Sequence, residues 1–429
     1  MSTNSVENGG DAKGPETPRQ TPCAPGDPNQ HPSRTPRPRR TGPLLLVGGL
    51  TVALALVAAA CGSSGKSASD PGSSSTTASA TGAATGSSSG LGGTSDTATD
   101  TAVTLNGAGA NSIDPFFERV FYDYHQANSK TTVNYSPAGS SVGVKDIQQG
   151  TVDFGDTEIP MSASDLAKAA GPVLQVPVDL GGVAISYNLP GGPKALKLDG
   201  PTLAGIFDGT ITKWNAPEIA ALNSGVTLPS TSIVAVHRAD SSGPGWDLDA
   251  YLIKNSPDWV AKTGTSTPSK TWPQASVGIG EQLNSGVASY VKQTAGAIGF
   301  VEYGYALQAG FVNAALKNQS GSFVAPSIAA IEAAGVQATS LSATNFSIID
   351  EPGASTYPLA NFSWTLLDQK QTDKAKGTSV GKLFDYVVTT GQKVSPSLGY
   401  AALPASVVAM ARQELATLED STGAPLFSS

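Results

Sequence analysis

Val103–Glu158 reads VTLNGAGANSIDPFFERVFYDYHQANSKTTVNYSPAGSSVGVKDIQQGTVDFGDTE. Val103-Thr104-Leu105 predicts a short strand, and Phe117, Val120, Phe121 and Tyr124 then recur at the spacing of a helix with one buried face. Val133-Asn134-Tyr135 predicts a second strand. Val144 and Ile147 predict a short helix that stops at Gly150, and Val152-Asp153-Phe154 a third strand. Strands alternating with helices pair in parallel through crossovers, so the chain reads as α/β.

Ile233–Val236 predicts a strand leading to Arg238. Asn215-Ala216-Pro217-Glu218 reads as a helix cap, with proline in the first turn and glutamate three residues after Asn215. Val407, Met410, Ala411 and Leu415 predict a last amphipathic helix after Pro404. Three times a strand runs into small residues that open a helix: Gly107–Ser112, Gly139–Gly143 and Ser241–Gly245. Small residues let backbone N–H groups converge, and a helix start leaves its first N–H groups unpaired, so each loop can hold an anion. In open α/β sheets such loops gather at the carboxyl ends of the strands.

The first hundred residues differ in kind. Residues 1–38 are rich in Pro, Thr and Gln and predict no core. Arg39 and Arg40 precede Leu44–Ala60, an uncharged and mostly apolar run that ends in small residues before Cys61, the pattern of an export signal. The small residues before Cys61 resemble the bacterial lipobox, which implies lipidation of that cysteine and a membrane-anchored, extracytoplasmic protein; an uncleaved anchor is the alternative. Residues 62–100 are almost all Ser, Thr, Gly and Ala, a tether averaging roughly 35 Å and reaching about 130 Å when stretched.

Cys23 and Cys61 are the two cysteines, so the region beyond residue 61 carries no disulfide, thiol nucleophile or cysteine-ligated metal. Removing residues 1–60 takes six basic and four acidic side chains from totals of 26 and 34, leaving a net charge of −10. That balance argues against nucleic acid, which clustered Lys and Arg must hold. It permits one small anion in a closed cleft lined by aimed dipoles.

Arg238 is the natural partner of an oxyanion, because its planar fork makes two parallel hydrogen bonds, and Asp240 can orient it. The alternative is a surface Arg–Asp pair. Ser140 and Ser141 stand at a helix start, where a serine either caps its own backbone or turns a hydroxyl to a ligand, and Asn111, Ser112 and Ser242 invite the same two readings. Gly139–Gly143 also satisfies G-x-S-x-G, the pattern of a secreted serine hydrolase, with His125 and His237 as the available bases. Glu158 offers an acceptor to an anion that carries a proton: hydrogen phosphate has an O–H to donate and sulfate has none, a difference worth several kcal/mol. An ordinary loop carboxylate is the alternative for Glu158 and for Asp156.

LNGAGA, AGSSVGVKDI, TVDFG, LDGPTLAGIFDGTITKWN, AVHRADSSG, AGAIGFVEYGYA and YAALPASVV follow one another across 103–410 and together resemble the phosphate-binding proteins of bacterial Pst-type ABC importers. The resemblance implies a type-II periplasmic-binding fold, two α/β lobes with a hinge and an interlobe cleft. It implies lobe 1 at 102–182 and 351–429 and lobe 2 at 183–350, behind a signal region (1–60) and a tether (61–101). It further implies a monomer that captures inorganic phosphate without cofactor, metal or catalysis and presents it to permease and ATP-binding subunits. Ser140, Arg238, Ser242 and Gly243 fall on family ligands, and Asp240 on the aspartate that braces the arginine. Asn111-Ser112 replaces the family's Thr-Phe, Glu158 replaces the aspartate that accepts the phosphate proton, and Pro244 replaces a threonine donor. Proline supplies neither hydroxyl nor N–H, so weaker binding or a rearranged cage is expected. A receptor for another oxyanion, such as arsenate, and a phosphate sensor that has lost transport are the nearest alternatives.

Overall fold

The computed structural model describes residues 102–342 and 345–428; Cys61, the apolar run before it and the Ser/Thr/Gly tether lie outside them. No helix among the described residues is long and apolar enough to cross a membrane. The strands are β1 (Val103–Gly109), β2 (Thr131–Ser136), β3 (Phe154–Thr157), β4 (Val173–Tyr187), β5 (Lys197–Leu198), β6 (Val234–Arg238), β7 (Ile279–Glu281), β8 (Ala297–Glu302), β9 (Val312–Asn313), β10 (Ala315–Lys317), β11 (Phe323–Val324) and β12 (Ala360–Asp368), with a short β13 (Lys370–Gln371) and β14 (Glu419–Asp420) pairing apart from the main sheet. The helices that matter for the site are α1 (Asp114–Ala127), α2 (Ser140–Gln149), α3 (Ala163–Leu166), α4 (Gly200–Phe207), α5 (Pro217–Leu222), α6 (Gly243–Asn255), α7 (Pro257–Thr263), α8 (Leu283–Gln293) and α9 (Tyr303–Ala309).

β4 organises the molecule. Its fifteen residues, VLQVPVDLGGVAISY, are buried almost throughout, as a strand covered on both faces must be. The main sheet runs β2-β1-β3-β12-β4-β8-β6-β7, with β9 also beside β4. The first part of β4 pairs with β12 as far as Gly182, and the remainder pairs with β8 from Val183. Two half-sheets therefore share one strand, each half with its own flanking helices. Pro177 pairs with Trp364 beside a slip of the β4–β12 register between Ser363 and Trp364, the kind of irregularity at which a strand tolerates proline.

β1 pairs in parallel with β2 and β3, and β6 with β8, as the strand–helix alternation predicts. The middle of the sheet is antiparallel, β12 against β3 and β4 and β4 against β8, because the chain leaves the first half along β4 and returns along β12. Each half has an aromatic core. Phe117, Phe121, Tyr135, Phe154 and Phe384 cluster in the first, and Phe207, Trp259, Trp272 and Phe300 in the second.

Three local expectations are corrected. The third strand begins at Phe154; Asp153 precedes it, its N–H on the Asn106 carbonyl and its carboxylate accepting the Asn106 N–H. The cap of α5 is Ala216 rather than Asn215, and no side chain caps it. The cap of α2 is Gly139, and Ser140 and Ser141 are its first helical residues. Gly139 has φ +107°, a conformation that favours glycine, and a β-carbon at Gly143 would meet the Asp156 carbonyl at 2.3 Å. The G-x-S-x-G glycines are thus explained by a helix start and by close packing of α2 on β3.

Candidate functional site

The three small-residue loops converge. Gly107–Gly109 belongs to β1, so the first loop is the turn Ala110–Ile113 before α1. The second is the start of α2 and the third the start of α6, where the Ser242 hydroxyl caps the helix by accepting the Gly245 N–H at 3.1 Å. The hydroxyls of Ser141 and Ser241 share a hydrogen bond of 2.5 Å, which joins the second loop to the third.

Glu158 lies at the centre, just beyond the end of β3. Its Oε2 accepts from Ser112 Oγ at 2.8 Å and its Oε1 from Asn361 Nδ2 at 3.2 Å, and its N–H reaches Ser140 Oγ at 3.5 Å. Gly243 packs directly on its carboxyl group. Arg238, at the end of β6, is 2 % exposed. Its Nε donates to Asp240 Oδ1 at 2.8 Å and its Nη2 donates to Asp240 Oδ2, so the aspartate fixes one edge of the fork. Nη1 is buried and meets no acceptor among the described residues. A guanidinium N–H does not remain so without cost, and it is the donor a bound anion would satisfy.

The structure therefore brings Ser112, Ser140, Glu158, Arg238, Asp240, Ser242 and Gly243 together, with Pro244 beside them in the first turn of α6. Asn111 adjoins them, but both polar atoms of its side chain are engaged: Oδ1 accepts from Asn284 N at 2.9 Å and Nδ2 donates to Tyr305 OH at 3.0 Å. Asp156 is no loop carboxylate; it is fully buried in β3 and accepts from Ser363 and Thr365 hydroxyls. Neither histidine pairs with Ser141. His125 Nδ1 lies 2.8 Å from the Thr131 carbonyl, and His237 Nδ1 faces the Arg238 carbonyl while its ring stacks on Trp272.

Asn284, Tyr305, Asn361, Asp247 and Glu302 were not found from the sequence. Asn361 Nδ2 also donates to Asp247 Oδ2 at 2.9 Å, and Glu302 Oε1 accepts the Gly182 N–H at 2.7 Å beneath the point where β4 changes partners. The segment AGAIGFVEYGYA, which contains Glu302 and Tyr305, was the one available signal.

Burial pushes Glu158 up to about 7, against the opposing pull of the Ser112 hydrogen bond, the Arg238 charge and the Asn361 amide. Asp156, Asp179, Asp247 and Glu302 are also raised by burial, each with a neighbouring carboxyl adding to the effect. The solvated value of Glu158 is 4.5, so between pH 4.5 and 7 the folded protein holds the extra proton, and this group's contribution to stability falls as pH rises through that window. The full loss is on the order of 3 kcal/mol. Glu158→Gln should therefore raise the thermal midpoint relative to the parent at pH 8 and far less at pH 4.5. An equal shift at both pH values would contradict a buried, proton-holding Glu158.

The model of the PBP superfamily domain matches residues 73–389. The chain is 37% identical over 310 residues to the phosphate-binding protein PstS of Xylella fastidiosa, covering 72% of this chain and 83% of that protein. It is 35% identical over 319 residues to PstS of Haemophilus influenzae, covering 74% and 93%. Against phosphate-binding protein PstS3 of Mycobacterium bovis it is 31% identical over 316 residues, covering 70% and 83%. Among solved structures, a high-affinity periplasmic phosphate-binding protein bound with phosphate superposes with a TM-score of 0.58 at 19% identity, covering 72% of this chain and 93% of that one. A phosphate-binding protein from Stenotrophomonas maltophilia gives 0.57 at 18%, covering 73% and 94%. At these identities the structures establish the shared fold.

Proposed function

Because this chain belongs to the PstS family of phosphate-binding proteins, we propose that it is the extracytoplasmic receptor that captures inorganic phosphate for an ABC importer. The observation that carries this reading is Arg238, buried, braced by Asp240 and left with an unsatisfied Nη1 close to Glu158, whose titration burial pushes up to about 7. In this reading Arg238 donates from Nη1, Ser140 from its hydroxyl, Ser112 from its backbone N–H because its hydroxyl is committed to Glu158, and the α6 start from Ser242 and the Gly243 N–H. Glu158 accepts the proton of hydrogen phosphate. The protein performs no chemistry: lobe 1 (102–182 and 351–429) and lobe 2 (183–350) close over the anion about the crossings near residues 182 and 350, and the ion passes to permease and ATP-binding subunits. The change of partner along β4 at Gly182–Val183 supports that division.

Calorimetry on the purified protein at neutral pH should give phosphate binding far tighter than sulfate; no heat with phosphate would overturn the reading. Pro244 stands in the first turn of α6, where a threonine would add a hydroxyl and an N–H. At roughly 1.5–3 kcal/mol per charge-assisted bond, Pro244→Thr should tighten phosphate binding about tenfold or more. Unchanged or weaker affinity would mean that the α6 start does not face the anion.

The protein is held to the outer face of the membrane by lipid on Cys61, and the apolar run, the small residues before the cysteine and the following tether support this. Cys61→Ala expressed in a bacterial host should move the protein from the membrane fraction to the medium or periplasm. Retention of that variant in the membrane would favour an uncleaved anchor.

A further inference from the structure

The turn before α8 joins the anion-facing arginine to the opposite lobe. Leu283 has φ +58°, a left-handed conformation costly for a leucine, and its N–H donates to Asp240 Oδ1 at 3.1 Å. The same aspartate holds Arg238. The next residue, Asn284, is fully buried and presents its N–H to Asn111 Oδ1 at 2.9 Å and its Nδ2 to Ser112 Oγ at 3.2 Å, while its own Oδ1 accepts the Glu302 N–H at 3.0 Å. From α9, the Tyr305 hydroxyl accepts from Asn111 Nδ2 at 3.0 Å and donates to the Asn111 carbonyl at 3.1 Å. Both polar atoms of the Asn111 side chain are thus met by residues more than 170 positions away in the chain, on elements of the other half-sheet.

We propose that Asn111 is a positioning residue, the tongue of a latch received by the Asn284 main chain and the Tyr305 hydroxyl, and that it holds the lobes closed over the anion instead of binding the anion itself. The inference rests on the phosphate-receptor reading. Contacts of this kind exist only after closure, so they retard release and leave capture nearly untouched. They also offset the donors that Pro244 lacks, because closure is stabilised from outside the cage. The shared turn ties the two events together: Asp240 positions both Arg238 and Leu283, and Leu283 positions Asn284.

The test is stopped-flow tryptophan fluorescence with inorganic phosphate, using Trp246 on α6 as the reporter near the site, on the parent, Asn111→Ala, Tyr305→Phe and the double variant. Each single variant should speed phosphate release about threefold to tenfold, the effect of one or two lost neutral hydrogen bonds. Association should change by less than about threefold, and the preference for phosphate over sulfate should hold. The double variant should release more slowly than the product of the single effects implies, because the two residues share one contact. Release at the parental rate in Tyr305→Phe would overturn the latch. So would a loss of phosphate-over-sulfate preference in Asn111→Ala alone, which would make Asn111 a ligand. If the parent gives no phosphate signal in calorimetry, the receptor reading fails on its own account. The latch is then read from small-angle scattering, where Tyr305→Phe should shift the protein to a larger radius of gyration, and superimposable profiles would reject it.

Discussion

Arg238→Ala should weaken phosphate binding about a thousandfold. The guanidinium is buried at the end of β6 with Nε and Nη2 committed to Asp240, so Nη1 and the positive charge are what it can offer an anion. One or two charge-assisted hydrogen bonds at roughly 1.5–3 kcal/mol each, in a site from which water is excluded, account for that loss. The carboxylates strengthen the expectation. With Arg238 gone, Asp240 and Glu158 would face the anion with nothing to balance them, and the Glu158 carboxyl would lose the charge that pulls its titration downward. Arg238→Lys should recover little, since an ammonium cannot grip Asp240 with two parallel bonds and still aim a third at the ligand. Calorimetry decides the point: binding within tenfold of the parent in Arg238→Ala would remove the arginine from the site.

Gly243→Ala should cost at least a hundredfold in affinity while leaving the thermal midpoint of the phosphate-free protein within a few degrees of the parent. A β-carbon at residue 243 would stand 2.0 Å from Glu158 Oε2 and 2.4 Å from its Cβ, far inside any tolerated separation. Glu158 cannot step aside cheaply, because its two oxygens are tied to Ser112 and Asn361 on its own half of the molecule. The two halves must instead stand apart by the width of a methyl group. The α6 start then no longer reaches an anion held by Ser140 and Glu158. With the halves apart the clash would be absent, and alanine is a good helix former, so the fold itself should survive. Parental affinity in this variant would show that the α6 start and Glu158 do not approach each other on binding.

The elements were readable where the signal was local. Helical spacing in α1, the Gly150 stop of α2 and the apolar run into Arg238 all act over a few residues, and each formed as expected. The misplacements were also local: Asn215 and Ser140 have cap-forming side chains, yet Ala216 and Gly139 hold the cap positions, because the path of the chain outweighs a hydrogen bond worth about 1 kcal/mol. Asp156 shows the limit most clearly. Its neighbours mark a polar turn, but it lies in β3 between β1 and β12, and the hydroxyls of Ser363 and Thr365, some two hundred residues on, make its burial tolerable.

By itself the chain of residues determined the α/β class, the three helix starts and the Arg238–Asp240 pair, since each depends on residue type within a short span, while their convergence is a tertiary fact. Tertiary structure decided what those groups face. Asn111 was paired with Asn284 and Tyr305, Glu158 was raised toward neutrality by burial, and Gly243 was set against it. The reason is physical: desolvation and hydrogen-bond partners come from distant segments that only the folded chain brings within 3 Å.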